Sequence, residues 1–186
     1  MAEMTRAAAP DWHSHCIAVV GMNGVGKSHF GRRLAARLGM RRVDTDVELR
    51  RRQGDEHAFI EAHGWEAFRK GEEATVLDCL RPGAVVVLSG GAVESPAVRA
   101  ALKKRAVTLW LHAGFHRVHK HLKAARRERP EFKGGVEEKA AREVLARRTP
   151  LYRGCADVVV HEHVPFRRQV TVAVELLSAA LGERVK

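Results

Sequence analysis

The sequence predicts an α/β fold in which a parallel sheet is covered by helices on both faces. Two observations carry that prediction. Short apolar, β-rich runs recur at Ile17–Val20, near Val43, and at Ala84–Leu88, Val107–Leu111 and Asp157–His161. Helical patterns fill the intervals between them, and this alternation is the signature of strands joined by helical crossovers. In such sheets ligands gather beyond the carboxyl ends of the strands, so the residues just after each run are where function is expected.

The first strand is followed by Gly21-Met22-Asn23-Gly24-Val25-Gly26-Lys27-Ser28, which reads G-x-x-x-x-G-K-S. A helical pattern comes next, with Phe30, Leu34 and Leu38 four apart. Strand, glycine-rich loop and helix in that order make a phosphate-binding loop. Its backbone N–H groups turn into one concave site, and the helix starting near Lys27 adds its dipole. Lys27 then reaches the outer phosphates and the Ser28 hydroxyl is placed to ligate Mg²⁺. A nucleoside triphosphate is the expected ligand.

The second strand ends in Asp44-Thr45-Asp46. Residues two apart on a strand point the same way, so both carboxylates are expected on one side. Beside a triphosphate, one would hold Mg²⁺ and the other would handle an acceptor hydroxyl; the plainer alternative is that Asp46 caps the following helix. The third strand ends in Ser89-Gly90-Gly91-Ala92, where paired glycines allow close backbone approach to a ligand or simply make a turn.

Two basic positions complete the set. Arg69 and Glu72 lie at i, i+3 near the start of a helix running toward Leu80, so the carboxylate can orient the guanidinium as a clamp for a substrate carboxylate. The alternative is an ordinary surface ion pair. Arg148-Thr149-Pro150-Leu151-Tyr152 ends a basic helix, where Arg147 and Arg148 either complement the helix dipole or form a second anion clamp. Arg126 to Gly135 is the one long polar, turn-rich segment, a candidate mobile lid.

Composition bounds these readings. A chain of 186 residues, 45% hydrophobic and 30% charged, suits one soluble domain. No apolar run reaches the length of a membrane span, and the first fifteen residues lack a signal-type apolar core and read as a disordered extension of a single domain covering 16–186. Cys16, Cys79 and Cys155 have no metal-type spacing and read as reduced thiols of a cytoplasmic protein. The histidine pairs His13/His15 and His161/His163 lack a third ligand and read as surface residues. The net charge of +11 is spread over several segments without an aromatic stacking set. It favours anionic small molecules over a dedicated nucleic-acid partner.

Taken in order, the phosphate loop, D-x-D, F-R-x-x-E, the glycine turn followed by Ala-Val, the Arg-Pro lid, R-x-P-L-Y and Ala-Asp resemble the shikimate kinase family over Ile17 to Leu181. The resemblance implies a three-layer α/β/α P-loop kinase fold of the nucleoside-monophosphate-kinase type. Its five-stranded parallel sheet would have the order 2-3-1-4-5, with a mobile lid at about 126–135. It implies transfer of the ATP γ-phosphoryl to the 3-hydroxyl of shikimate, with Mg²⁺, by a protein that can work as a monomer. Residue by residue, Gly21, Asn23, Gly24, Val25, Gly26, Lys27, Ser28 and His29 would hold ATP, with Lys27 stabilising the transferring phosphoryl. Ser28 would ligate Mg²⁺ and Asp44 would hold a metal-bound water. Asp46 would bind the acceptor hydroxyl and act as its base. Arg69, Gly90, Gly91 and Arg148 would bind shikimate, and Arg129 would close over the phosphates.

Three departures stand against the family pattern. Ser89 takes the place of a glycine. Asp55-Glu56-His57 follow Gly54 where a Ser-Ile pair is usual, in a segment one residue short. Glu131-Phe132 replace the leucines after Arg129-Pro130. They leave open a kinase for a quinate-like or gluconate-like acceptor. A nucleotide-binding regulatory or RNA-associated protein is the remaining alternative, and Asp46 with its two arginines argues against it.

Overall fold

The computed structural model describes residues 10–124, 132 and 136–184. Of the extension assigned to residues 1–15, only Pro10 onward lies within that range. Asp11 caps a single helical turn at Trp12–Ser14, and the Gly83 N–H donates to the His15 carbonyl at 2.9 Å. Arg129 and the expected lid, Phe132 apart, lie outside the described residues.

Five strands form one parallel sheet: β1 (Cys16–Val20), β2 (Arg41–Asp44), β3 (Ala84–Val87), β4 (Val107–His112) and β5 (Val158–His161). Their spatial order is β2-β3-β1-β4-β5, as the resemblance implies. Strands β1 and β3 are buried at every position, because helices cover both faces. The register is fixed by direct pairs such as Val19 with Val87 on one side and with Leu109 on the other.

One face is covered by α1 (Lys27–Leu38) and α7 (Gln169–Arg184), which pack on each other. The other carries α3 (Glu56–Cys79), α4 (Pro96–Arg105) and α6 (Glu138–Cys155). Helix α1 turns Phe30, Leu34, Ala35 and Leu38 to the core. It lies so close to β3 that a side chain at Gly31 would run into Val87. Two further helices, α2 (Thr45–Gln53) and α5 (Phe115–Ala124), flank the carboxyl edge of the sheet.

Two local expectations are corrected and one is met. Strand β2 stops at Asp44, and Asp46 sits in the first turn of α2, so the two carboxylates are not related by strand alternation. Asp44, not Asp46, is the cap: its carboxylate accepts from the Asp46 N–H at 3.3 Å. As expected, Arg69 lies near the start of a helical stretch running toward Leu80: α3 begins at Glu56 but breaks at Gly64, whose φ of 81° and ψ of 167° only glycine adopts readily, and the helix resumes after it. Finally, α6 runs past the Arg148–Tyr152 stretch to Cys155, so Arg147 and Arg148 do not lie in its last turn. Its inner face of Val144, Arg148, Tyr152 and Cys155 is buried, and that packing outweighs the hydrogen bond the proline cannot donate.

Candidate active site

The carboxyl edge of the sheet holds two adjoining hollows. The first is lined by Asn23, Gly24, Gly26, Lys27, Ser28 and His29 from the loop after β1, by Asp44 and Asp46 from the β2–α2 junction, and by Val87, Leu88 and His121. Helix α1 starts at Gly26, which has φ 93° and supplies no side-chain cap, so the first N–H groups of the helix face the hollow unclaimed by a capping side chain. The space beside Gly26 is open to 4 Å, room for an anion against those donors. Lys27 is buried and donates to the Met22 carbonyl at 3.1 Å across the loop. From α5, a ring nitrogen of His121 meets the Gly24 carbonyl at 2.8 Å and buttresses the turn.

Not every residue of the loop faces this hollow. Gly21 is pressed against β4, where a Cβ would stand 2.5 Å from the Leu111 carbonyl oxygen, and Val25 is a core residue. They shape the loop from behind.

The second hollow is lined by Asn23 and Asp46 again, by Leu49, Arg50, Gln53, Gly54, Glu56 and Phe59, and by Trp65, Phe68, Arg69, Glu72, Ser89 and Gly91. Asp46 and Asn23 therefore stand on the wall between the two spaces. Arg69 donates to Glu72 Oε2 at 2.6 Å, and its guanidinium lies 5.2 Å from the Trp65 ring centre. The other Glu72 oxygen accepts from the Ser89 hydroxyl at 2.6 Å. The departure at Ser89 thus has a place: it holds the carboxylate that holds the arginine. The Ser89 N–H donates in turn to the Thr45 hydroxyl at 3.0 Å.

Gly91 faces this hollow, and a side chain there would collide with Arg69. Gly90 does not line it. Gly90 packs on Asn23, where a Cβ would come within 2.6 Å of Oδ1, and its carbonyl accepts from the Tyr152 hydroxyl at 2.6 Å. Of the altered segment, Asp55 turns away to cap α3 through the N–H groups of His57 and Ala58, while Glu56 lines the hollow. The wall that the family pattern makes apolar here carries a carboxylate.

Arg148 is the largest difference from expectation. It is fully buried, with 0% exposure, and does not line the second hollow. Its guanidinium meets Glu94 at 3.2 and 3.5 Å. Glu94, on the helical turn Ala92–Glu94, also takes Arg147 at 2.8 Å and Arg69 at 3.5 Å. Burial pushes the Glu94 carboxyl up, and the guanidiniums of Arg148, Arg147 and Arg69 more than offset it, holding it below the usual carboxylate range. Sequence reading passed over Glu94; the only signal was a lone acid three residues after the glycine pair.

Among the described residues, no cluster of three or more His, Cys, Asp or Glu side chains could hold a metal by itself. The oxygen donors Ser28 and Asp44 in the first hollow suit a hard divalent cation that completes its shell with phosphate and water. No helix among the described residues is long and apolar enough to cross a membrane.

The shikimate kinase family model matches residues 23–178. The chain belongs to the shikimate kinase family. Shikimate kinase of Nitrobacter winogradskyi is 37% identical over 167 residues, 89% of this chain and 78% of that one. The solved structure of shikimate kinase from Acinetobacter baumannii in complex with shikimate superposes with a TM-score of 0.81 at 27% identity, covering 94% of this chain and 98% of that one. A gluconokinase from Sinorhizobium meliloti, at 17% identity and a TM-score of 0.59 over 94% of this chain and 99% of that one, shares the fold. Shikimate kinases use ATP as phosphoryl donor, so the family's donor is the ligand the loop after β1 was expected to hold.

Proposed function

We propose that this protein transfers the γ-phosphoryl group of ATP to the 3-hydroxyl of shikimate. The observation that carries the reading is the shared wall. Asp46 borders both hollows, with Lys27, Ser28 and Asp44 on one side and Arg69, Glu72 and Gly91 on the other. A base must reach the acceptor hydroxyl where that oxygen meets the donor phosphate, and this is the one carboxylate among the described residues that lines both spaces.

In this reading Gly24, Gly26, Lys27, Ser28 and His29 cradle the ATP phosphates, with Gly21, Asn23 and Val25 setting the loop's shape. Mg²⁺, held through Ser28 and Asp44, supplies charge neutralisation on the phosphates. Arg69, oriented by Glu72, takes the shikimate carboxylate, and the backbone at Gly90 and Gly91 carries the acceptor ring. Asp46 accepts the proton of the 3-hydroxyl as that oxygen bonds to the γ-phosphorus and the bond to the β-phosphate oxygen breaks, releasing ADP. Lys27 and Arg129 stabilise charge on the transferring group. Arg148 joins Arg69 on the carboxylate once it is free to do so. Every one of these groups comes from one chain, which supports a working monomer, and we assign it to the cytoplasm.

Glu56 in the acceptor wall favours one second reading, a related hydroxy acid or polyol as acceptor. An ADP-release assay with shikimate, quinate and gluconate separates the two. Shikimate is expected to give by far the highest kcat/KM. Turnover with shikimate no higher than without an acceptor would overturn the proposal.

A further inference from the structure

The clamp arginines already hold a carboxylate, and it belongs to the protein. Three guanidiniums, those of Arg69, Arg147 and Arg148, converge on Glu94, which gives Oε1 to Arg147 at 2.8 Å and to Arg148 at 3.2 Å. Its Oε2 faces Arg148 and Arg69, each at 3.5 Å. We propose that Glu94 is an internal competitor of the acceptor's carboxylate, and that acceptor affinity is set by how readily Glu94 yields Arg148 and Arg69. The inference rests on the reading of the second hollow as the acceptor site.

Three features favour exchange over a fixed supporting role. First, Arg148 is fully buried and absent from the acceptor hollow, so a ligand there gains a second guanidinium only if the Glu94 pairing loosens. Second, Glu94 is about one-quarter exposed, with a side-chain value of 24%, and rides on a single helical turn. A side chain so placed moves at lower cost than one locked in the core. Third, Glu94 has room beside it: it lines a further open hollow with Glu66, Arg69, Lys70, Glu72, Glu73 and Ser95. The carboxylates there make that space a weaker home for Glu94 than the arginines, so it leaves them only for a competing anion.

Charge counting gives the direction. Within this cluster of ion pairs, Arg69, Arg147 and Arg148 carry three positive charges against two negative ones on Glu72 and Glu94, a surplus of one. Removing the Glu94 charge doubles that surplus and removes the competitor. The gain belongs to anionic acceptors alone, so Glu94 also governs discrimination between a carboxylate and its neutral analogue.

The test compares the wild type with Glu94→Gln, which keeps the side chain's size. In steady-state assays the variant is expected to lower the shikimate KM by roughly three- to tenfold, the scale of one partly exposed charge pair. Its kcat and its KM for ATP stay near wild type. Binding is read separately by titrating cyclohex-1-enecarboxylate and its carboxamide against tryptophan fluorescence, with Trp65 on the acceptor wall as reporter. The carboxylate is expected to bind more tightly to the variant and the carboxamide equally to both proteins. A carboxylate affinity that is unchanged or weaker in the variant overturns the competitor role, and so does an equal gain for the carboxamide. Because the titration needs no turnover, it stays informative if shikimate proves not to be the acceptor, an outcome that would count against the functional reading alone.

Discussion

The Ser89 hydroxyl and the Arg69 guanidinium grip opposite oxygens of one carboxylate, Glu72, at 2.6 Å each. Glu72 is buried, and a buried carboxylate needs partners on both oxygens to stay charged and still. Removing the hydroxyl in Ser89→Ala leaves one oxygen unsatisfied and loosens the aim of Arg69. The expected loss is about 1 kcal/mol of acceptor binding, or roughly a fivefold rise in shikimate KM, with the ATP KM unchanged. An unaltered shikimate KM would show that Glu72 holds Arg69 without help from Ser89.

Gly91 tests the same arginine from the other side. Its φ of −86° and ψ of −14° suit any residue, so Gly91→Ala brings no backbone strain. The added methyl would nevertheless collide with the Arg69 guanidinium. Melting temperature is therefore expected to hold while shikimate KM rises by about tenfold or more, the effect of shifting a two-hydrogen-bond clamp. A drop in melting temperature with KM intact would mean that Arg69 moves aside freely and is not the clamp.

Asp46 and Asp44 separate by role. Asp46→Asn keeps size and the first turn of α2 but cannot take a proton. Turnover is expected to fall by roughly 10² to 10⁴, the span of general-base catalysis, with ATP binding retained in a calorimetric titration. Asp44→Asn is expected to weaken ATP binding in Mg²⁺ and to leave metal-free nucleotide binding much less affected. Near-normal turnover in Asp46→Asn would remove that carboxylate from the base role.

Cys16 predicts an alkaline limit. On β1 the thiol is buried, and burial pushes it up to about 11. A thiol whose folded pKa lies above its unfolded value favours the fold while protonated, and that advantage goes as pH climbs between the two values. Urea midpoints are expected to fall between about pH 9 and 11, by up to about 3 kcal/mol from this group. Cys16→Ala should flatten part of that slope. Equal slopes in the two proteins would assign the alkaline loss to other groups. All three cysteines are buried, so alkylation of the native protein at pH 8 should be slow.

Much of this architecture was legible in the residues. Short continuous apolar runs alternating with helical patterns pointed to strands covered on both faces, so the sheet and its carboxyl edge followed directly. Side-chain partnerships across elements were less legible. That Ser89 reaches Glu72 depends on how β3 and α3 pack, and that Glu94 gathers Arg69 and Arg148 depends on a turn meeting two helices. Neither leaves a periodic trace. The strand reading of Asp46 failed for a local reason: Asp44 caps α2 at once and draws the next residues into helix. Sequence reading places the end of α6 a turn early, because the buried inner face of Val144, Arg148, Tyr152 and Cys155 carries the helix on to Cys155.

The parallel ladder between β1 and β3 has a consequence for redesign. The phosphate loop and the Ser89-Gly90-Gly91 turn leave adjacent strands at the same end, and Gly90 packs directly on Asn23. The spacing between the loop and the turn is thus set by the backbone hydrogen-bond ladder of two adjacent strands. The turns at the other end of the sheet, around Gly39 and Gly83, stand a full strand length away. Reporter tags, inserted binding modules or new chain ends grafted there would leave that ladder uncut, so the enzyme offers a blunt end for engineering opposite a fixed reactive one.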